Sequence, residues 1–513
     1  MTTTENNKRI AKNTLVLYVR MFLVMGVSLF TSRIILNALG VHDYGIYNVV
    51  GGIVSLFTII SGSLSSAISR FITFELGKNN EEKLRRIFAT SLCIQIFISI
   101  TVLVLCCTVG FWFLNQKMNI APERITAANW VLVFSIMTFV INLISVPYNA
   151  AIVAHEKMTA YAYISIIEVA LKLSVAFLIL KIPADRLIIY AGLIFIVALI
   201  IRFIYTIYCN RNFNECKTGP KYDRVVFKEM SSFAGWNFIG SSSSVIRDQG
   251  NNIVLNLFFG TVVNAAYGIG MQVSNAINSF SQNFMTAINP QITKSYAMGD
   301  LQYLSALVMR GSRFSYFLLW IIASFVLLNT EQLLRLWLGN VPEYTVTFTR
   351  LFIIFVLSES ISQSLITAIL ATGNIRNYQI VVGGLKLFNL PLSYLFLRLG
   401  YNPYVTVIIA IIISQGMLFL RFFFLKERIN LSAVLFIRSV YIRVLEVSAL
   451  SIALSYYLTL YLPYSFWGLI IKGITISLIS GSSIFLLGCT STERTLLLDR
   501  VKKTICKIQC MTR

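Results

Sequence analysis

The chain has 513 residues, of which 57% are hydrophobic and only 12% charged, and its mean hydropathy is +0.75. Apolar runs recur along its whole length, which excludes a soluble multidomain protein and is typical of a polytopic helical membrane protein. The formal net charge of +22 does not indicate nucleic-acid binding, because no large polar domain is present to hold a nucleic acid.

Apolar runs of about 20 residues, the length needed to cross a bilayer as a helix, predict about fourteen spans. The first six cover residues 14–37, 46–69, 88–113, 129–153, 160–180 and 187–208. The remaining eight cover residues 233–259, 264–289, 312–329, 345–371, 377–398, 403–424, 437–460 and 465–488.

Lysine and arginine are concentrated in alternate loops. One set of loops holds roughly 28 of them and the other roughly 6, and the positive-inside rule makes the rich side cytoplasmic. The rich set comprises the N-terminus, residues 70–86, 211–228 and 421–438, and the tail after Thr490. An even number of spans then predicts that both termini are cytoplasmic.

The first apolar run does not have the pattern of a cleaved signal peptide, and the cysteines do not have the pattern of disulfides. The first apolar run is too long for a signal peptide, contains Arg20 and lacks a small-residue cleavage site, so we expect it to be retained. Cys209, Cys216, Cys506 and Cys510 fall on the cytoplasmic side, where thiols stay reduced. We predict no disulfide, no metal site and no cofactor.

The sequence divides into two related halves. Leu39-Gly40 and Tyr44-Gly45-Ile46 in the first half match Phe259-Gly260 and Tyr267-Gly268-Ile269 in the second, about 222 residues later. Ala151–Ala154 similarly matches Ala368–Ala371. Each half has six spans, so the copies run in the same orientation.

The repeat and the polar linker predict the domain organisation. We expect an N-terminal lobe over residues 1–209, a cytoplasmic linker over 210–230 and a C-terminal lobe over 231–430. Two appended spans occupy 431–489, and a basic cytoplasmic tail occupies 490–513.

Spans one, two, seven and eight carry the most polar side chains. In span seven Ser244, Asp248 and Asn252 form one row of side chains four residues apart, and Arg247 and Asn251 lie in the adjacent row. Span two is rich in serine, and span eight carries Gln272 and Asn275 on one face. Such residues either pack helices together or line a wet interior.

Ionisable residues at membrane depth are the candidate functional groups, because a charge there is costly to keep. They are Arg20, Arg247, Asp248, Glu168, Lys172, Glu359 and Lys386. Glu168 and Lys172, four residues apart, are expected to form an ion pair within their helix. Arg247 and Asp248 are adjacent and point about 100° apart, so we expect each to need another partner.

The sign of these charges indicates the ligand. Arginine stays charged and its fork of donors suits phosphate oxygens, so Arg20 and Arg247, with Lys172 and Lys386, would attract an anionic headgroup. Asn251, Asn252, Gln272 and Asn275 complete the predicted substrate site. Asp248, Glu168 and Glu359 are candidates for ion coupling.

The sequence gives little support to a catalytic function. The two histidines, His42 and His155, have no cysteine or histidine cluster beside them, and no Walker-type loop for ATP is present. We therefore expect no catalytic residues and a protein that is not an enzyme.

Two stretches carry a family resemblance. TSRIILNALGVHDYGIYNVVGGIVSLF with SSAISRFITFELGK in the first half, and IRDQGNNIVLNLFFGTVVNAAYGIGMQV with NFMTAINPQITKSYA in the second, resemble one branch of a transporter superfamily. That branch contains the polysaccharide (O-antigen and capsule) flippases of the multidrug/oligosaccharidyl-lipid/polysaccharide exporter superfamily.

The resemblance implies an all-α membrane protein with two six-helix lobes around a central cavity and two added helices. It implies movement of an undecaprenyl-pyrophosphate-linked oligosaccharide to the outer leaflet by alternating access. By position in spans one and seven, Arg20, Arg247 and Asp248 are the residues that would correspond to the basic cavity of the family. Partners would be the lipid-linked oligosaccharide, membrane lipid, and a polymerase and glycosyltransferases of the same pathway.

Three alternatives stay open at this point. A lipid II flippase of peptidoglycan synthesis also has fourteen spans. A cation-coupled multidrug antiporter would be expected to have an acidic cavity and twelve spans. A membrane glycan polymerase or ligase would need a long outside loop with reactive groups, which the sequence lacks.

Overall fold

A computed structural model describes residues 3–55, 58–117, 121–182, 185–429, 431–463, 465–491 and 493–495. Most of the predicted basic tail, with Cys506 and Cys510, lies outside these residues. Within them the regular structure is helical, and ten helical segments are long and apolar enough to cross a membrane. The chain is an all-α polytopic membrane protein, as predicted.

The helices of the first half follow the predicted spans. They are α1 (Thr3–Ser55), α2 (Thr58–Gly77), α3 (Glu81–Leu105), α4 (Phe111–Lys117), α5 (Ile125–Ala154), α6 (Met158–Lys181) and α7 (Arg186–Asn212). A π-helical turn, Cys106–Gly110, joins α3 to α4.

The second half begins with one very long element. The helices are α8 (Arg224–Ala297), α9 (Leu301–Leu328), α10 (Thr330–Leu338), α11 (Thr345–Ala371), α12 (Arg376–Arg398) and α13 (Val405–Ile429). The chain ends with α14 (Ala433–Phe436), α15 (Ile442–Thr459) and α16 (Phe466–Ser483). Helix α10 occupies the stretch between spans nine and ten where the sequence suggested only a loop.

The four predicted spans that fail the test of length and hydropathy are 46–69, 233–259, 264–289 and 437–460. Spans seven and eight (233–259 and 264–289) carry polar side chains that lower their mean hydropathy, and span two (46–69) runs through residues 56–57, which lie outside the described part of the chain. The fourth is interrupted by the π-helical turn Ile437–Tyr441 and carries Arg443 and Glu446.

Backbone conformation supports the repeat at three matched positions. Gly40 in α1 and Gly260 in α8 have φ of 77° and 74°, so each long helix is two helices joined at a glycine. Asn79 and Gly299 both have positive φ after α2 and α8, and Glu156 and Gly373 do so after α5 and α11. Left-handed backbone is costly for residues with a Cβ, so its recurrence at these places marks related turns.

The described chain forms two compact units. Unit 1 contains residues up to Ser243 together with Thr286–Asp300 and Leu370–Gly383. One cluster of its core, from α1, α3, α5 and α7, includes Val50, Val131 and Leu132, which are fully buried.

Unit 2 contains Ser244–Met285, Leu301–Ile369 and the residues from Gly384 onward. A core cluster from α8, α11, α12 and α13 surrounds Tyr267, whose ring meets those of Phe348 and Phe352 edge-on. These are also the helices that carry most of the predicted site.

Helices α15 and α16 are joined to α9 within unit 2 by polar contacts. Trp320 Nε1 donates to Ser451 Oγ at 2.8 Å, Tyr316 hydroxyl lies 2.8 Å from Ser448 Oγ, and Ser324 Oγ lies 3.1 Å from Ser480 Oγ. Hydrogen bonds between apolar helices have little competition from solvent in a membrane, so this ladder fixes the two helices to α9.

Candidate functional site

Arg247 and Asp248 lie midway along the first part of α8 and bind each other. The Arg247 Nε and one terminal nitrogen each lie 2.8 Å from Asp248 Oδ1, and the two side chains are 10% and 34% exposed. The prediction that adjacent positions need separate partners was wrong, because the long arginine side chain turns back along the helix. Its guanidinium also lies 4.9 Å from the ring centroid of Phe355.

Three further charges from α11, α12 and α13 join this pair. The Glu359 carboxylate interacts electrostatically with Arg421, Lys386 and Arg247, and Lys386 also interacts with Asp248. Lys386 Nζ donates to Ser244 Oγ at 2.9 Å. We call these five residues (Arg247, Asp248, Glu359, Lys386 and Arg421) the mid-membrane charge cluster.

The mid-membrane charge cluster has three cationic and two anionic groups, so it carries one excess positive charge. Arg421 is fully buried, whereas Asp248 and Lys386 remain partly exposed. The exposed part of the cluster is therefore where a ligand could reach it, whereas the buried Arg421 contributes its charge to Glu359 and Lys386.

Hydroxyl and amide groups hold the Glu359 carboxylate in place. Ser414 Oγ donates to Glu359, and Ser358 Oγ lies 3.1 Å from Ser414 Oγ. Gln415 Nε2 donates to Ser358 at 2.5 Å, and its Oε1 accepts from the Tyr441 hydroxyl at 3.1 Å. A half-buried carboxylate with such partners has a fixed orientation.

Two of the four predicted amide residues are bonded between helical segments, and the other two are exposed. Asn251 Nδ2 donates to Asn389 Oδ1 at 2.5 Å, and Asn252 accepts two hydrogen bonds from Asn264 Nδ2. These contacts link α8 to α12 and connect the two parts of α8. Gln272 and Asn275 have exposed side chains and are not among the groups the structure brings to the cluster.

The candidate residues of the first half, Arg20, Glu168 and Lys172, lie in unit 1. The Arg20 guanidinium lies 4.5 Å from the ring centroid of Tyr161, a cation–π contact. Lys172 Nζ donates to Glu168 Oε1 at 2.6 Å, the predicted ion pair, with side chains 43% and 37% exposed. Arg20 and Glu168 both interact electrostatically with Tyr205, so these groups lie near one another.

Sequence reasoning missed Arg421, which it assigned to the basic loop 421–438. The structure buries this side chain inside unit 2. One signal could have found it: Ser414 and Arg421 are seven residues apart, which is two helical turns, so both face the same side of α13. Among the described residues, no group of three or more histidine, cysteine and acidic side chains could hold a metal ion.

Comparison with solved structures identifies the fold. The chain matches an outward-facing multidrug resistance MATE family transporter of the MOP superfamily with a TM-score of 0.69 at 13% identity, over 84% of this chain and 99% of that one. A MOP superfamily transporter from Pyrococcus furiosus matches with a TM-score of 0.69 at 12% identity, over the same shares. At these identities the matches establish a fold: that of the MOP transporters.

Sequence comparison then identifies the family. Residues 10–296 match the model of a family described as polysaccharide biosynthesis protein, and the chain belongs to this family. It is also 21% identical over 331 residues to the uncharacterized membrane protein EpsK of Bacillus subtilis. That alignment covers 64% of each chain, just under two thirds of the curated relative.

Proposed function

We propose that the protein is a flippase that moves an undecaprenyl-pyrophosphate-linked oligosaccharide from the cytoplasmic to the periplasmic leaflet for surface polysaccharide synthesis. The observation that carries this proposal is the excess positive charge of the mid-membrane charge cluster. A pyrophosphate brings the negative charge that this cluster lacks, and arginine and lysine are the donors that phosphate oxygens prefer.

The chemistry assigns different tasks within the cluster. Arg247 and Lys386 hold the pyrophosphate, and Asp248 keeps the Arg247 guanidinium in position. Arg421 neutralises Glu359, so that the carboxylate does not repel the anionic ligand. Movement requires no bond to be made or broken, and the protein is a transporter and not an enzyme.

Membership of a polysaccharide biosynthesis family supports a glycan as cargo. Five of the remaining predicted residues are proposed to line the path: Arg20, Lys172, Asn252, Gln272 and Asn275. Asn251, buried against Asn389, is proposed to hold α8 in place beside it, and Glu168, Glu359 and Asp248 are ion-coupling candidates. The protein resides in the bacterial inner membrane with both termini cytoplasmic, beside the polymerase and glycosyltransferases of its pathway.

The test uses the native bacterium with its gene deleted and variants re-expressed. Arg247→Ala and Lys386→Ala should abolish surface polysaccharide and leave lipid-linked repeat units accumulated, at membrane levels near wild type. Arg335→Ala is the matched control, because Arg335 is an exposed arginine paired with Glu331 on α10. Full surface polysaccharide in an Arg20→Ala/Arg247→Ala double variant at ordinary expression would refute the site.

A cation-coupled multidrug antiporter is the second candidate, because the structural matches include MATE transporters. The net positive cluster argues against a cationic drug, and the related P. furiosus transporter is itself described by a reversed polarity of its binding pocket. Unchanged surface polysaccharide with increased drug susceptibility in the deletion strain would favour the antiporter. Arrest of growth with lipid II accumulation would instead favour the peptidoglycan precursor as cargo.

A further inference from the structure

Glu156, in the turn between α5 and α6, is a fully covered carboxylate of unit 1 with several cationic and amide partners. Its side chain has no exposed surface, and its oxygens lie 2.8 Å from Arg9 Nε, 2.5 Å from Gln291 Nε2 and 2.8 Å from Lys294 Nζ. Asn13 Nδ2 adds a hydrogen bond to the Glu156 carbonyl. A buried carboxylate is tolerated only with such partners, so this one binds α1 and the end of α8 firmly to the turn.

The backbone at Glu156 is in a conformation that favours glycine. Its φ is 59°, and the Lys157 N–H bonds back to the Ile152 carbonyl, as in the usual glycine-terminated helix end. A glutamate held in this conformation is a local outlier, and such outliers persist where the side chain has a task. Here that task is the contact with Gln291 and Lys294.

The matching turn of the repeat makes a different contact with the opposite half. Gly373 has φ 79° and follows Ala371 as Glu156 follows Ala154. Arg70, in the C-terminal half of α2, donates from a terminal nitrogen to the Ala371 carbonyl at 2.9 Å. A Cβ at Gly373 would lie 2.5 Å from that arginine nitrogen, so a larger residue there would have to push the arginine aside.

Helices α2 and α8 also touch directly at equivalent positions of the repeat. A Cβ added to Gly77 would lie 2.8 Å from the Ala297 Cβ, and the Phe74 and Tyr296 rings lie 6.4 Å apart. Residues 286–300 and 370–383 come from the second half of the sequence, yet they belong to unit 1. Both segments are thus anchored to first-half residues, one by Glu156 and one by Arg70.

We propose that these contacts are two latches related by the repeat, a carboxylate latch at Glu156 and an arginine latch at Arg70. They hold residues 286–300 and 370–383 in unit 1, and both must open once in each transport cycle to admit cargo from the cytoplasm. The inference rests on the proposed transport function, because only a transporter needs this side to open. Glu156 and Arg70 are positioning residues and do not touch the cargo.

The test measures a distance and needs no substrate. Spin labels at Lys78→Cys and Met298→Cys, exposed sites at the ends of α2 and α8, are placed in full-length protein without its other cysteines, in lipid nanodiscs. The latched protein should give one short distance by pulsed electron resonance. Glu156→Gln and Arg70→Met should each raise the ratio of a longer to the short distance by at least about tenfold.

Two further variants guard against misfolding and backbone effects. Glu156→Gly removes the carboxylate but suits the left-handed backbone, so it should open the latch as Glu156→Gln does. Lys294→Gln removes one partner and leaves Arg9, so it should give a smaller increase. Glu331→Gln, which breaks an exposed ion pair on α10, is the control and should leave the distances unchanged.

Wild-type distances in both Glu156→Gln and Lys294→Gln would overturn the proposal. It would also be overturned if Glu331→Gln lengthened the distance while the Glu156 variants did not. The two proposals fail separately. If the protein moves a different cargo, the distances expected for the latch variants stay the same. If the variants do not change the distances, the latches are wrong, and glycan transport is still tested by the surface polysaccharide of the Arg247 and Lys386 variants.

Discussion

Two charge networks in the described part of the chain differ in how far they are covered. In unit 1 the Glu156 carboxylate meets two cations and an amide, and its own side chain is completely covered. In unit 2 three cations share two carboxylates, and part of the cluster remains exposed. Cations outnumber carboxylates by one in both networks, so exposure separates them: a covered network holds structure together, whereas a partly exposed one can receive a ligand.

The largest expected effect comes from removing the central carboxylate of the mid-membrane charge cluster. Glu359→Leu leaves the fully buried Arg421 beside two other cations, which should lower the free energy of unfolding by about 3–5 kcal/mol. Thermal unfolding of the purified protein in detergent measures this. Glu359→Gln, which can still accept from Ser414, should lose less, and equal losses would mean that charge is not the cause.

A matched pair of lysine variants tests the contrast directly. Lys294→Met removes a partner of the covered Glu156 and should destabilise the protein by about 1–3 kcal/mol. Lys386→Met removes a partly exposed cation and leaves Arg247 and Arg421 beside the two carboxylates, so stability should change by less than about 1 kcal/mol while glycan transport falls. If both variants lose the same stability, the distinction between the two networks is wrong.

The close approach of α2 and α8 gives a steric test of unit 1. Gly77→Val places side-chain atoms against Ala297 and the Lys294 backbone, which should cost about 1–3 kcal/mol and loosen the Glu156 contact. Gly26→Val is the control, because a Cβ at Gly26 meets nothing within 4 Å. Proteolysis of cytoplasmic loops in inverted vesicles should be faster for the first variant only.

The smallest effect is expected at the exposed ion pair of α6. Glu168→Gln and Lys172→Gln should each change stability by less than about 0.5 kcal/mol, because an exposed i,i+4 pair contributes little. A loss of glycan transport without loss of stability in either variant would show that this pair takes part in transport and not only in helix packing.

The sequence predicts the helices and the repeat well, because both depend on local patterns. Apolar runs of membrane length place the spans, and Gly40 and Gly260 sit where each long helix bends. The domain limits stay predictions, and residues 286–300 and 370–383 pack with unit 1 although they belong to the second half of the chain.

The charge network is harder to predict, because it depends on how side chains from four helices meet. Arg247 and Asp248 pair directly since the arginine is long enough to fold back, which the angle between adjacent positions does not show. Arg421 was missed because it lies close to a basic loop, where arginine usually sets the orientation of the chain in the membrane. Glu156 was missed because its partners lie more than a hundred residues away.

The hydrogen-bond ladder between α9 and the last two helices has a practical consequence. Since Trp320 and Ser324 bind α15 and α16 at membrane depth, the C-terminal end should follow every movement of α9 as a rigid extension. Arg313 reinforces this with two hydrogen bonds to Glu493, beyond the last span. A fluorophore fused after this point would report the motion of unit 2 from outside the bilayer, without altering any residue of the transport path.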